Sequence, residues 1–508
     1  MPTPPDTGSS RQTALSDFLD RAVFVFLALF AVALPFSIKG AERAWKIALI
    51  LWLLKLVADR RRPWQQPLVL PLLAYVTLSA ISTALSPDAY LSWDRMKVVC
   101  LYLAGIVVAQ NIQRLWQARC LVTLLVLSGF AAAVFTAWQY TYGIGVRIVS
   151  VPPSSRLERV GILPNATVIA VAGHSVHTPD QLVHEVQELP PHSRVPVKYI
   201  PYMIPQSNVV VAAPEDFVAS GLGTPALQLA RAKPDRAQGT LGHYVVFAEM
   251  LTQVGCMAWA LLLASDRRNK TWIVLFAIAF AGIGCALLAT GTRAAVASLV
   301  LGCFVALLLL AERRARILAI AALTVIVLSA TIWIQHTRQT RWVDPNDIST
   351  QFRVLMWGDG LRLIRQHPWF GVGMETVRLH FHEWNIRGFL EYNVVSHFHS
   401  TYVQIAVERG IPALLAWLWF CVAYALFLWR LIARLRIQSR LACAAAVGAL
   451  GGLVAFTFTS FFHYNLGEEP LALIFFFYWG LAVAMDRILT IPGALDPVHL
   501  REGTVVIR

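Results

Sequence analysis

Charge is what this 508-residue sequence has least of. Asp, Glu, Lys and Arg together make up 14% of it, against roughly 25% in soluble domains. Hydrophobic residues reach 57%, with a mean hydropathy of +0.58. That shortage excludes a water-soluble globular protein. Acidic residues are the scarcer sign, 29 against 43 Lys and Arg, which leaves a net charge of +14. Cysteine is also sparse. Its seven residues (Cys100, Cys120, Cys256, Cys285, Cys303, Cys421 and Cys443) lie in or beside apolar runs, without the spacing of a metal site or disulfide framework. They read as small buried hydrophobes. The short alternating segments of an outer-membrane barrel are missing. So is any repeat relating the two halves, which weakens a transporter reading. No cleavable small-residue site follows a short apolar core in Met1 to Asp20, so that polar stretch reads as a cytoplasmic tail and not a signal peptide.

Long apolar runs are what the sequence does have. They fall near 22–38, 44–58, 68–84, 97–110, 120–140, 243–264, 272–290, 294–311, 318–334, 411–429, 441–462 and 471–488. This predicts an all-α polytopic membrane protein of about twelve transmembrane helices. Orientation follows from the basic residues of the short connections. With a cytoplasmic N-terminus, alternate loops hold Arg60-Arg61-Arg62, then Arg114 and Arg119, then Arg267, Arg268 and Lys270. Arg313, Arg314 and Arg316 follow, then Arg430, Arg434, Arg436 and Arg440. The positive-inside rule then puts both termini in the cytoplasm. Most of the excess charge is topology, and no nucleic-acid partner is implied.

The spans divide the chain into a tail (1–20), helices one to five (21–141), an insert with linker (142–235) and helices six to nine (236–334). A long loop (335–410), helices ten to twelve (411–488) and a second tail (489–508) complete it. The insert and the long loop both emerge on the periplasmic side, where function on a membrane scaffold is expected.

The insert changes the periodicity. Val146–Val151 and Thr167–Val171 alternate like strands, Gln181–Leu189 has helical spacing, and Val195–Ile200 is strand-like again. The stretch from Val160 to Gly173, with Gly161-Ile-Leu-Pro164-Asn165-Ala166 and Val171-Ala172-Gly173, resembles the centre of bacterial PDZ domains. Asn165-Ala166 stands where Gly-Asp is usual, and Ala172 where Asn is usual. The resemblance implies a small α/β module whose sheet edge binds a peptide or protein by strand addition; a purely structural insert is the other reading.

Three elements assigned to the external side combine cations, histidine and tight turns. The first is Asp235-Arg236-Ala-Gln-Gly-Thr-Leu-Gly242-His243, and the second is Gly291-Thr292-Arg293. The third, in the long loop, starts at Arg353-Val-Leu-Met-Trp357, passes through His367-Pro368-Trp369-Phe370-Gly371-Val372-Gly373 and ends at Ser396-His397-Phe-His399-Ser400-Thr-Tyr402-Val-Gln404, with Glu408-Arg409-Gly410 just after. Arginine offers a planar, permanently charged fork suited to a diphosphate. Histidine offers a base that titrates near neutrality. An external surface lacks ATP, so a reaction there needs an activated donor, and a lipid-linked sugar diphosphate meets that need.

These residues resemble the bacterial O-antigen ligase and polymerase superfamily, whose members carry Arg-x-x-x-Trp, Pro-x-x-Gly-x-Gly and His-Asn-x-Tyr-Leu-Gln followed by Glu-x-Gly. Arg353–Trp357, Pro368–Gly373 and His399–Gly410 keep that order, with Ser400 in place of Asn. Arg236–Gly242, Gly291–Arg293 and His463-Tyr464-Asn465-Leu466-Gly467-Glu468 are similar too. The resemblance implies an inverting, metal-independent glycosyltransferase of GT-C type, with no cofactor. It would move a glycan from undecaprenyl diphosphate to a hydroxyl of lipid A-core at the periplasmic face of the inner membrane. By matching positions, Arg293 and Arg353 bind the diphosphate, Arg236 is a further contact, and His399 is the catalytic base. His397, Tyr402 and Gln404 position the acceptor. A polymerase, a protein O-oligosaccharyltransferase and, from another class, a twelve-span transporter are the alternatives.

Plainer roles compete at each position. Edge arginines snorkel to lipid phosphate, Glu408 and Arg409 can be a local ion pair, and His463 with Asn465 can simply close a turn. Glu249 lies inside an apolar run, where charge is costly and implies a partner; the sequence does not reveal which.

Overall fold

A backbone in an apolar medium has to satisfy its own hydrogen bonds, and coiling is how a single segment does so. The computed structural model describes residues 7–59, 67–152, 154–201, 208–232, 236–312, 345–392, 395 and 397–490, with scattered positions between 316 and 335. The first helices are α1 (Thr7–Ala33), α2 (Ile38–Asp59), α3 (Val69–Leu85), α4 (Ala89–Val99), α5 (Tyr102–Asn111) and α6 (Leu115–Tyr142). A mixed segment follows: β1 (Gly145–Ser150), α7 (Arg156–Arg159), β2 (Thr167–Val171), β3 (His174–Ser175), α8 (Pro179–Glu188), β4 (Val195–Ile200), β5 (Asn208–Ala212), α9 (Pro214–Ala219) and β6 (Gln228–Ala232). Then come α10 (Tyr244–Ala264), α11 (Lys270–Ala289), α12 (Arg293–Leu310), α13 (Ile348–Gln366), α14 (Val377–His380), α15 (Arg387–Tyr392), α16 (Thr401–Gln438), α17 (Arg440–Thr459) and α18 (Glu469–Thr490).

Among the described residues, seven helices are long and apolar enough to cross a membrane: α6, α10, α11, α12, α16, α17 and α18, with α3 a shorter apolar one. The chain is a multi-pass membrane protein. Outward apolar side chains fit that: Val274 and Ile278 on α11 are exposed by 53% and 52%, a face suited to lipid and not to water.

The count of twelve is not reproduced, for identifiable reasons. The run near 97–110 is broken at Cys100–Leu101 into α4 and α5, and α4 carries Asp94, Arg95 and Lys97. The span near 318–334, and with it Arg313 and Arg314, falls largely outside the described residues, as do Arg60, Arg61, Arg62, Asp235, Ser396 and the tail from 491 onward. The spans near 22–38 and 44–58 coincide with α1 and α2. Helix already begins at Thr7, so much of the stretch read as a tail continues the helix of the first span.

The chain divides into two compact units, one of Met1–Phe130, Ala248–Leu288 and Thr292–Arg508, the other of Ala131–Phe247 and Ala289–Gly291. In the first, α12 packs on α17, α18 on α5, and α16 on α3, α13 and α17. Small residues let the backbones close: a Cβ on Gly480 would come within 2.2 Å of the Gly105 carbonyl oxygen, the close approach by which membrane helices replace hydrophobic drive with van der Waals contact.

The second unit holds an antiparallel sheet in the order β5-β4-β2-β1-β6, with β3 paired to β2. The anticipated strands and helix occur within a few residues of their expected places. Period-two burial turns Val146, Ile148, Val168 and Val197 inward, where Leu182 and Val186 of α8 meet them. The module extends beyond Ile200, however. Strands β5 and β6 with α9 also belong to it, and Gly145 of β1 stands opposite Ala232 of β6. The insert therefore enters and leaves through paired neighbouring strands, the economical way to splice a module into a host chain.

Candidate active site

The long loop is mainly helical among its described residues, and glycine explains how it is fixed to α16. That long helix breaks at Gly410, whose φ of 83° and ψ of 170° are accessible essentially only to glycine. The break releases carbonyls from the helical ladder. Val407 O accepts the amide of Val372 at 3.0 Å, and Glu408 O that of Gly373 at 2.9 Å. Beyond the break, the Ile411 amide donates to Pro368 O at 2.8 Å. The Pro-x-x-Gly-x-Gly turn and the Glu-Arg-Gly segment are thus two halves of one backbone junction. A Cβ on Gly410 would lie 2.1 Å from the Trp369 carbonyl oxygen. Gly410→Ala is expected to destabilise the protein by about 3 kcal/mol or more, read as a lowered melting temperature in detergent.

Around that junction, the buried Glu408 carboxylate accepts from the Glu375 amide and the Gln404 side chain, at 2.9 and 2.8 Å. The opposite end of the Gln404 amide accepts the Phe398 N–H at 2.8 Å. Gln404 is therefore a strut that holds the histidine loop. Arg409 is 2% exposed and donates to the hydroxyls of Tyr75 and Tyr464. The Glu408–Arg409 separation of 3.7 Å makes the expected ion pair one part of a larger network. Tyr402 donates its hydroxyl to Thr457 O at 2.7 Å, which commits it to the neighbouring helix α17.

The histidine loop carries strain at its centre. His399 has φ of 50°, a left-handed conformation that costs a non-glycine residue on the order of 1 kcal/mol and persists only when surroundings enforce it. Its amide donates to Nδ1 of His397 at 3.1 Å, and the two rings lie 4.3 Å apart. Its ring also meets Phe352 edge-on at 5.1 Å, the residue immediately before Arg353. Ser400, the departure from the family pattern, is the N-cap of α16 and accepts the Val403 amide. Serine and asparagine cap helices about equally well, so the substitution keeps the position's job.

Arg353, on α13, is held through two edges of its guanidinium: Nε donates to Phe462 O at 3.1 Å, and Nη1 to the Ser349 hydroxyl at 2.7 Å. Phe462 adjoins His463, so Arg353 and the histidines come together although far apart in sequence. Asn465, fully buried, anchors that turn by donating to Phe456 O and the Thr459 hydroxyl, at 2.9 and 3.0 Å, and Thr401 donates its amide to Ser460 O at 2.8 Å. Closing the turn is indeed what Asn465 does. His463 does more: its Nδ1 lies 3.0 Å from Oε1 of Glu249, the partner that the intramembrane carboxylate required.

Arg293, the first residue of α12, pairs with Asp347 at 2.6 Å. Asp347 is the N-cap residue of α13 and lies outside the motifs that single out the other site residues, although an aspartate ahead of a helix start is a readable signal. In the second unit, Arg236 donates Nε to Thr290 O at 2.7 Å and lies over the Tyr244 ring at 3.5 Å, a cation–π stack.

His397, His463 and Glu468 bring nitrogen and oxygen atoms within 4.8 Å of one another. Since His397 accepts an amide on Nδ1, its ring proton sits on Nε2 and it has no lone pair left for an ion. The three form a close polar cluster. Burial alone would lower the proton affinity of His463, but Glu249 outweighs it, aided by Glu468 and opposed by Arg353, so its pKa is raised. Burial raises the pKa of Glu468, against the pull of His463.

No curated protein matches the chain. Residues 275–418 match the family model described as O-antigen ligase, a segment that contains Arg293, Arg353, the glycine junction, His397 and His399. Members of that family are glycosyltransferase-like ligases or polymerases. Over that segment, the chain is similar to the O-antigen ligase family.

Proposed function

We propose that this protein is an O-antigen ligase-like inverting glycosyltransferase. It acts at the periplasmic face of the bacterial inner membrane, with both termini cytoplasmic, and moves a glycan from undecaprenyl diphosphate to a hydroxyl of lipid A-core. The observation that carries the reading is the seating of the strained His399 ring against Phe352, which puts an imidazole beside the helix turn bearing Arg353.

In the reaction, the acceptor hydroxyl oxygen attacks the anomeric carbon opposite the diphosphate. The carbon–oxygen bond to the diphosphate breaks, and its electron pair leaves on the phosphate oxygen. His399 takes the hydroxyl proton. Arg353 and Arg293 oppose the charge gathering on the leaving group, Arg293 by exchanging its carboxylate partner for the diphosphate. This chemistry needs no metal. His397 and Gln404 hold the histidine loop; Tyr402, on α16, braces it against α17, and Arg236 is a further diphosphate contact. The insert suits a PDZ-like role because β5 is an edge strand with Val209 and Val211 exposed by 60% and 58%, the kind of edge to which a peptide strand adds.

The test is reconstitution of purified protein in liposomes with undecaprenyl diphosphate-linked glycan and three separate acceptors: rough lipopolysaccharide, non-reducing glycan ends and a periplasmic protein. Glycan is expected on the lipopolysaccharide. Transfer only to glycan or only to protein would make it a polymerase or a protein oligosaccharyltransferase, and donor uptake without transfer would overturn the enzyme reading.

A further inference from the structure

Glu249 has no part in the chemistry above, yet an ionisable group in a membrane-crossing helix is costly and demands a reason. It lies on α10 and is 4% exposed; His463, its partner, is 6% exposed. Oε1 is 3.0 Å from Nδ1 of His463, an ion-pair contact without hydrogen-bond alignment, and Oε2 has no hydrogen-bond partner among the described residues. On the other side, the His463 ring lies 5.5 Å from that of His397, which is coupled to His399. The Glu468 carboxylate reaches within 4.8 Å of the nitrogens of both His463 and His397.

The groups facing His463 come from every element around it: Glu249 from α10, Glu468 from the turn before α18, Arg353 from α13, and His397 from the histidine loop. Glu249 and Glu468, opposed by Arg353, leave the surroundings of the buried His463 predominantly acidic. A neutral His463 would leave that acidity uncompensated, and uncompensated buried charge is strongly destabilising. An imidazolium cancels it. The order then reads carboxylate, imidazolium, carboxylate, imidazole, from Glu249 through His463 and Glu468 to His397, alternating in charge.

We propose that Glu249 is a positioning residue that keeps His463 as an imidazolium, and that this charged ring, through Glu468, holds His397 and the catalytic loop in their working arrangement. The inference rests on the transferase reading and adds a consequence to it. Activity needs two opposite ionisations, a neutral His399 and a charged His463, so the pH profile is bell-shaped with different residues on its two limbs. As pH rises through the raised pKa of His463, the cluster loses its cation and transfer declines.

The experiment is the pH dependence of kcat/KM for glycan transfer in wild-type, Glu249→Gln and Glu249→Asp proteoliposomes, paired with melting temperature against pH for the same three. Removing an opposite charge at this range shifts a titration by about 1–3 pH units. In Glu249→Gln the alkaline limb is therefore expected to move down by that much while the acid limb stays, and Glu249→Asp restores most of the wild-type curve. The melting temperature of the wild type, stabilised by a group whose pKa is raised on folding, is expected to hold below the ordinary histidine pKa and to fall as pH climbs through the raised value; Glu249→Gln flattens that fall. Uniform loss of activity with no shift of either limb would make Glu249 merely structural and overturn the proposal. Absence of transfer by the wild type at every pH would overturn the transferase reading instead, while the melting curves would still decide the charge on His463.

Discussion

His399→Gly is expected to leave a protein that folds at least as well as the wild type and transfers almost no glycan. Glycine occupies the left-handed conformation at His399 without penalty, so the backbone strain at φ of 50° is relieved. The imidazole proposed to take the acceptor proton is lost, and general-base catalysis typically contributes about 10²- to 10⁴-fold. His399→Ala should fall in rate by the same factor but keep the strain. Measuring transfer rate and melting temperature on both variants separates the two effects. A rate drop with an equal or higher melting temperature in the glycine variant marks a residue kept for chemistry at the expense of stability. If the glycine variant transfers at the wild-type rate, His399 is not the base. In cells, the corresponding result is loss of surface polysaccharide with accumulation of the lipid-linked glycan.

The second large effect is expected at Arg353. Lysine keeps the charge but has one compact ammonium, and it cannot reproduce the two-edged grip on the Phe462 carbonyl and the Ser349 hydroxyl. Loss of one preorganised donor to developing charge costs on the order of 10²–10³ in rate, so Arg353→Lys should reduce kcat by about that factor. Arg293→Lys is expected to follow, since on the proposed mechanism its fork passes from Asp347 to the diphosphate. Single-turnover measurements with saturating donor would show the loss in the chemical step. Full activity in both lysine variants would defeat the bidentate argument.

The candidate residues are legible in the sequence and their partners are hidden, for a physical reason. His399, Arg353 and Arg293 stand out because histidine and arginine beside tight turns are rare in a chain so poor in charge. The glycines of 368–373 and 410 are visible as punctuation, but nothing in their spacing says that they join to each other. The same limit applies to Glu249 and His463. Each is conspicuous alone, and the pairing depends on how α10 and the turn after α17 meet, which no local period encodes. Helix α4 misleads for the opposite reason: its apolar continuation hides a polar first half. In the insert, β6 escapes pattern reading because Gln228–Ala232 alternates only weakly and gains its strand identity from pairing with β1.

The turn that closes on Asn465 also bears on how this protein is compared with others. Its carbonyls hold the start of α16 and the Arg353 side chain, and it supplies His463 and Glu468, yet it lies some distance beyond the segment 275–418 that carries the family likeness. Glu249 lies ahead of that segment. The likeness thus marks only part of a cluster whose other members are written elsewhere in the chain. A fragment cut to those limits would keep Arg293, Arg353 and His399 and lose the residues that shape their surroundings, and relatives are better judged by whether they retain a buried acid and a closing asparagine outside the shared stretch.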